Sequence, residues 1–432
     1  MKESQENVTK AVKLTANKPF VLLITAQLVS NIGDWLHILA LLTMVGLKWQ
    51  ASPWEITAVS LCMAVPMLLG GPFAGYLSDK VDRKAIMIGS DLVRAGIVAC
   101  LVFAGSLWQV YVLLLAKGVM DVLFSPAKSG KLKELVPPGQ MDQAVALSSS
   151  IEQITKIIGP ALGGLLVAAV GISACYFIDS VSYIASAVIL LGLPRVGMFK
   201  TGRPNEDGDT ARSSFRKEAG AGLRLIGSMP VVLSGVVMIV AALLVLQIAD
   251  SQTVTLFREI PGVNADLLGW CVAASGFGTL LSALAVGRLG SGKHPLVFMG
   301  TGTFLMGSVF AGAALVTVTG QAGFWMDMML FGSFVLAGVG AGFVIIPFNS
   351  MLQRRTPEAY TGRVFGIVGS LTSAAVILGP VAGGALVTAS GPATAFLVSG
   401  VLSALLGAAV LFLRTGIENR DQAAQELQQS AA

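Results

Sequence analysis

Twelve runs of mostly apolar residues divide this chain. Each is about 20 residues long or more, the length a helix needs to cross the hydrocarbon core of a bilayer. They lie at about 20–47, 54–76, 85–105, 109–127, 144–170, 172–193, 229–257, 265–287, 295–318, 324–347, 363–389 and 392–413. In lipid every backbone N–H and C=O must be satisfied within the protein, so such runs fold as helices unless strands can close a barrel. Hydrophobic residues make up 54% of the 432 residues and charged residues 12%. A soluble domain carries about 25% charged residues, so this chain lacks the means to cover a water-exposed surface. The four cysteines, Cys62, Cys100, Cys175 and Cys271, sit inside apolar runs. Their spacing fits neither a zinc site nor a disulfide framework. The first apolar run is too long and too interrupted by polar residues for the core of a signal peptide.

Lys and Arg set the expected orientation. Lys2, Lys10, Lys13 and Lys18 precede the first run, and Lys80, Arg83, Lys84, Lys128, Lys131 and Lys133 fall in loops 2–3 and 4–5. Arg288, Lys293, Arg354, Arg355 and Arg363 fall in loops 8–9 and 10–11, whereas the alternate loops offer only Lys48 and Arg258. The positive-inside rule then places both termini in the cytoplasm. The net charge of +5 is explained by these loops and gives no reason to expect a nucleic-acid partner. The expected domains are an N-terminal six-helix bundle over 1–193, a cytoplasmic linker over 194–228, a C-terminal bundle over 229–414 and a cytoplasmic tail over 415–432. Within the linker, Phe215 to Ile226 reads as a short amphipathic surface helix, and the tail as a frayed or disordered end.

The two halves repeat at an offset of 220. Gly159-Pro160-Ala161-Leu162-Gly163-Gly164 in the fifth run matches Gly379-Pro380-Val381-Ala382-Gly383-Gly384 in the eleventh, and Gly171 matches Gly391. Six helices repeated in one orientation imply an all-α membrane protein. Its twelve transmembrane helices form two six-helix bundles related by a pseudo-two-fold axis along the membrane normal. Secondary transporters with this repeat bind substrate between the halves near the midplane.

Ionisable residues inside spans cost about 2.5–3.5 kcal/mol each on insertion scales, so they are functional candidates. In the first run Gln27, Asn31, Asp34 and His37 share one helix face. A carboxylate away from bulk water is a natural proton acceptor, which makes Asp34 the candidate coupling site. His37 reads as an outer-interface residue. Lys117 and Asp121 lie one turn apart in the fourth run, and Lys117 is expected to exchange partners between Asp34 and Asp121. Gln247, Asp250 and Ser251 share a face of the seventh run. Glu152 and Lys156 form an i, i+4 pair that reads as a gate or a stabilising pair. Asp179 and Asp327 read as solvated outer ends. Met44, Met63, Met67, Phe124, Met238, Phe304 and Met306 are candidate adaptable lining.

Loop 2–3 reads Gly75-Tyr76-Leu77-Ser78-Asp79-Lys80-Val81-Asp82-Arg83-Lys84. It resembles the signature loop of the major facilitator superfamily, with Asp82 in place of the second Gly. The Gly159-Pro160 segment resembles that superfamily's antiporter motif, with Thr155 in place of its leading Gly. Phe177-Ile178-Asp179-Ser180-Val181-Ser182-Tyr183 and Gly362-Arg363-Val364-Phe365 resemble its macrolide-efflux branch. Ser125-Pro126-Ala127-Lys128 and Pro347-Phe348-Asn349-Ser350 resemble the related lysophospholipid transporters. The resemblance implies the major facilitator fold and gating roles for Gly75, Asp79, Arg83, Asp91, Arg94, Glu152, Lys156, Gly159, Pro160, Gly379 and Pro380. It joins Asp91 and Arg94 to the loop 2–3 charge network, and makes Asp79 a latch on the cytoplasmic side.

The sequence contains no P-loop, no metal-ligand cluster and no nucleophile–base pairing, so neither an enzyme nor a cofactor is expected. The first reading is a monomeric, proton-coupled efflux transporter for amphipathic small molecules or drugs, working by alternating access in a bacterial cytoplasmic membrane. The alternatives are a lysophospholipid transporter or flippase of the same fold, and a membrane receptor or scaffold that moves nothing. Besides membrane lipid, the expected partners are protons and a small amphipathic substrate or lysophospholipid.

Overall fold

The structure is a computed structural model, and it describes residues 14–137, 140–195, 220, 223–260, 265–289, 294–319, 324–357 and 361–430. Among these there is no β-strand, and twelve long helices are present. The first half supplies α1 (Lys18–Leu42), α2 (Pro53–Lys80), α3 (Arg83–Leu101), α4 (Leu107–Leu135), α5 (Met141–Val170) and α6 (Ile172–Leu191). The second half supplies α7 (Pro230–Asp250), a short α8 (Thr253–Glu259), α9 (Ala265–Leu289), α10 (Pro295–Thr319), α11 (Phe324–Arg355), α12 (Thr361–Ser390) and α13 (Pro392–Ser430). Ten of the described helical spans are long and apolar enough to cross a membrane. Missing from that set is α3, which carries Arg83, Lys84, Asp91 and Arg94, and α5 qualifies only as the shorter apolar stretch Ile158–Val170. Glu152 and Lys156 lie near the middle of α5.

The repeat is visible in the backbone. α5 and α12 are both 30 residues long and start 220 residues apart, and α4 and α11 end 220 residues apart. Gly171 and Gly391 close α5 and α12 with φ of +82° and +84°, the left-handed conformation that ends helices at glycine. Their N–H groups donate to the carbonyls of Val167 and Val387 at 3.0 and 2.8 Å. Prolines 126, 160, 347 and 380 lie inside helices that continue through them. At the start of α2, Ser52 and Glu55 cap reciprocally: the Ser52 N–H donates to Glu55 Oε2 at 2.6 Å, and the Glu55 N–H donates to Ser52 Oγ at 3.4 Å. This capping box satisfies donors that the helix leaves open.

The chain forms two compact units that differ from the two sequence halves. One comprises Met1–Ile38, Cys62–Gly159 and Ile172–Arg203; the other comprises Leu39–Leu61, Pro160–Gly171 and Pro204–Ala432. The later part of α1, the first part of α2 and the end of α5 therefore belong with the second-half helices. Arg258 secures this assembly, donating from Nε to the Gly46 carbonyl and from Nη1 to the Ala51 carbonyl, each at 2.6 Å. Thr57 Oγ1 donates to the Pro380 carbonyl at 3.1 Å. The expected end of the last span at residue 413 is also overrun. α13 continues to Ser430, and buried Asp421 accepts from Arg355 at 2.8 Å and from the Val231 N–H at 3.3 Å. Part of the predicted tail thus docks on the start of α7. Of the predicted linker helix, residues 223–228 are helical, and the segments 196–219 and 221–222 lie outside the described residues.

Helices approach closely where both are small. A Cβ built on Gly383 would stand 2.4 Å from the Ile248 carbonyl oxygen, and a helix backbone has little room to yield. Gly383→Leu is therefore expected to lower melting temperature and yield, since overpacking costs about 1–3 kcal/mol or more. A thermal-shift assay on detergent-purified protein checks this. Unchanged melting and yield would contradict the packing role.

Candidate proton and substrate site

The functional side chains of the first unit converge from four helices. α1 supplies Asp34 and His37, α3 Asp91 and Arg94, α4 Lys117 and Asp121, and α6 Asp179, Tyr183 and Ser186. Lys117 Nζ stands 3.1 Å from Asp34 Oδ1 and 3.0 Å from Asp121 Oδ2. Arg94 donates from Nη1 to Asp121 Oδ1 at 3.0 Å and pairs through Nη2 with Asp91. Ser186 Oγ donates to the other oxygen of Asp91 at 2.7 Å, and the Tyr183 hydroxyl donates to Asp34. The Arg94 guanidinium lies over the rings of Phe124 and Tyr183, 4.4 and 4.7 Å from their centroids. Such stacking holds a planar cation in place.

Burial within the cluster is uneven. Lys117, Arg94, Asp91 and Tyr183 are buried, whereas the side chains of Asp34 and Asp121 keep 29% and 41% of their exposure. Asp34 and Asp121 are thus the accessible carboxylates of the cluster, while the cations and Asp91 are buried. Protonating Asp34 would cancel its attraction to Lys117, which would keep Asp121 as a partner. That is a change in pairing of the kind a two-state transporter can use.

Several expectations are revised here. Lys117 meets both of its expected partners, Asp34 and Asp121, in this structure. Asp91 and Arg94 belong to this intramembrane cluster, not to the loop 2–3 network. Among the described residues Glu134 is an acid of that network, pairing with Arg83 and Lys131, each at 2.8 Å. Lys84 Nζ donates to the carbonyls of Leu191 and Leu193 at 2.7 and 2.6 Å, where cations suit a helix C-terminus. Asp82, at the position of the second signature Gly, caps α3 by accepting from the Lys84 N–H at 3.0 Å. Asp179 and His37, expected near the outer interface, are both fully buried, with His37 Nδ1 2.6 Å from Asp179 Oδ2.

The remaining candidates are dispersed. Gln27 is buried and tied to α5, donating to the Ser148 carbonyl at 3.2 Å and accepting from Ser148 Oγ at 2.8 Å. Asn31 Nδ2 reaches Thr155 Oγ1 at 3.5 Å. Gly159 leaves room for Trp35, whose ring would be 2.1 Å from a Cβ there. In the other unit Gln247 packs on Gly379, Asp250 is exposed and Ser251 Oγ is buried without a partner among the described residues. The proposed adaptable lining is not uniform: Met238 and Met306 are buried in packing, Met67 and Phe304 are exposed, and Phe124 lies under Arg94. Glu152 is half-buried; the surroundings of Gly75 and the side chains of Asp79 and Lys156 lie outside the described residues. The closest set of metal-type donors among the described residues is Asp34, His37 and Asp179, within 4.8 Å of one another. A zinc ion at about 2.1 Å from each ligand does not fit between atoms 2.6 Å apart, so this contact is a hydrogen bond.

The comparisons agree with this architecture. Residues 12–431 match the family described as transmembrane secretion effector. The uncharacterized MFS-type transporter YfiS of Bacillus subtilis (strain 168) is 39% identical over 403 residues, covering 93% of this chain and 95% of that protein. Macrolide efflux protein A of Enterococcus faecalis is 24% identical over 338 residues, covering 75% of this chain and 98% of that protein. A crystal structure of a POT family transporter in complex with 5-aminolevulinic acid superposes with a TM-score of 0.67 at 14% identity, covering 92% of this chain and 96% of that one. At that identity the likeness speaks for the fold alone. Twelve helices in the major facilitator arrangement make this an integral, multi-pass membrane protein. The chain belongs to the transmembrane secretion effector family of MFS-type transporters, in the branch that resembles the macrolide efflux proteins.

Proposed function

We propose that this chain is a proton-coupled antiporter that exports amphipathic small molecules, with Asp34 as the coupling carboxylate. It works by alternating access in a bacterial cytoplasmic membrane, as a monomer with both termini inside. The observation that carries the reading is the partly exposed Asp34, bonded at once to Lys117 and Tyr183 within a span. Its ionised form is matched to Lys117 and its protonated form is not, so proton binding changes the pairing. Gln247 and Asp250, on one face of α7, are proposed substrate contacts from the second half. Export of bulky amphipathic cargo follows the name of the macrolide efflux relative.

The substrate class is tested in proteoliposomes with an imposed pH gradient, using ethidium, erythromycin and a lysophosphatidylethanolamine as probes. Gradient-dependent movement of ethidium or erythromycin is expected. Movement of the lysophospholipid alone, indifferent to the gradient, would replace the proposal with lipid transport. No movement of any probe would favour a receptor or scaffold.

A further inference from the structure

His37 and Asp179 remain after the coupling site is assigned. Both are fully buried, and His37 Nδ1 lies 2.6 Å from Asp179 Oδ2. The approach depends on Gly33, where a Cβ would stand 2.2 Å from Asp179 Oδ1 and 2.0 Å from Ser182 Oγ. Ser182 Oγ is 3.0 Å from Asp179 Oδ1, so the carboxylate is oriented from both sides. With Nδ1–H donating to Asp179, the second ring nitrogen is left as a bare acceptor. That atom, Nε2, is buried with no hydrogen-bond partner among the described residues. It is where a proton would add.

Charge counting points the same way. The charged groups next to His37 are Asp34 on its own helix and Asp179 on α6; through Asp34 the pair is linked to Lys117 and Asp121 on α4, Arg94 and Asp91 on α3, and Tyr183 on α6. On α5 the charged residues nearest this level are Glu152 and Lys156. Among the described residues of the connected cluster, four carboxyl groups meet two permanent cations, Arg94 and Lys117. Fully ionised with a neutral imidazole, it would carry two uncompensated negative charges although His37, Asp91 and Asp179 are fully buried, an arrangement proteins avoid. One proton on His37 removes the first and one on Asp34 removes the second. His37 Nδ1 and Asp34 Oδ1 are 3.9 Å apart, beyond a hydrogen bond but well within electrostatic reach.

We propose that the His37–Asp179 pair is a second proton-binding site, electrostatically coupled to Asp34, giving the cluster a capacity of two protons. The proton adds at His37 Nε2, while Nδ1–H stays on Asp179 and no other bond changes. The idea builds on the proposed proton coupling through Asp34, but its test does not require transport. The chain has two histidines, His37 and His294, and the His294 side chain is 62% exposed, so it serves as an internal control.

Nitrogen-15 NMR of histidine-labelled, full-length protein in lipid nanodiscs, titrated from about pH 5 to 9, reads both imidazoles. His37 is expected to be an Nδ1–H tautomer at high pH and to gain a proton within this range. Asp34→Asn is expected to weaken that proton binding about tenfold or more, because a neighbouring negative charge is gone, with His294 unmoved. A tenfold change is one pH unit in the midpoint. Asp179→Asn is expected to abolish the tautomer preference; should it not fold, the Asp34→Asn comparison decides alone. A His37 with no protonation step in this range, or one whose step is the same in Asp34→Asn, overturns the proposal. Failure of the coupling reading would show separately, as normal pH-driven transport in Asp34→Asn.

Discussion

Asp34→Asn is expected to abolish pH-driven accumulation of ethidium in proteoliposomes while leaving a folded protein. The amide keeps the shape of the carboxylate and can still accept from Tyr183, but it cannot bind and release a proton. Lys117 loses one of two partners and retains Asp121 at 3.0 Å, so the buried ammonium is not stranded. The variant should let ethidium equilibrate across the membrane and no further. Melting temperature and monodispersity establish that it is folded. A folded Asp34→Asn that still concentrates ethidium in response to a pH step would remove Asp34 as the coupling site.

Lys117→Ala should be strongly destabilising. It leaves Asp34 and Asp121 facing each other with Arg94 alone to offset them, and Arg94 is already paired with Asp91. Breaking one partner of a buried ion pair costs about 3–5 kcal/mol. The lower end applies here, because the Asp121 side chain is 41% exposed and solvent screens it. Because Lys117 binds both acids at once, either second change should restore part of the loss: Lys117→Ala with Asp121→Ala, or with Asp34→Asn. Thermal unfolding of the single and double variants measures this. No rescue by either partner would mean that Lys117 is not held by these carboxylates, and rescue of stability by Asp121→Ala with full transport would mark the pair as structural.

What the sequence made legible follows from what a membrane demands. Span number, the repeat and the helix stops at Gly171 and Gly391 were readable because lipid enforces length and glycine enforces the left-handed turn. Asp34, Lys117 and Asp121 were readable because each is a charge in an apolar run. The α6 side of the cluster was misjudged. Asp179, Tyr183 and Ser186 fall at i, i+4 and i+7, one helix face, and the same spacing argument used for α1 would have found them. Asp179 lies about 10 Å into α6 at 1.5 Å rise per residue, which is not an end. Arg94 was joined to the loop network by the family resemblance, whereas its partner Asp121 comes from another helix. The docking of Asp421 on α7 was hidden because a polar, Gln-rich helix carries no apolar signal. The division of α1, α2 and α5 between two compact units depends on tertiary packing and has no local signature.

The central claim is that a proton bound in this cluster is exchanged for cargo. The most direct measurement is ethidium flux in proteoliposomes at zero membrane potential, with the pH gradient imposed first in one direction and then in the other. Coupled exchange predicts that net flux reverses with the gradient. One proton exchanged per monovalent cation predicts a steady-state ratio of about tenfold per pH unit, since one pH unit is about 1.4 kcal/mol per proton. Flux that is indifferent to the sign of the gradient, in protein that demonstrably transports ethidium, would contradict the account.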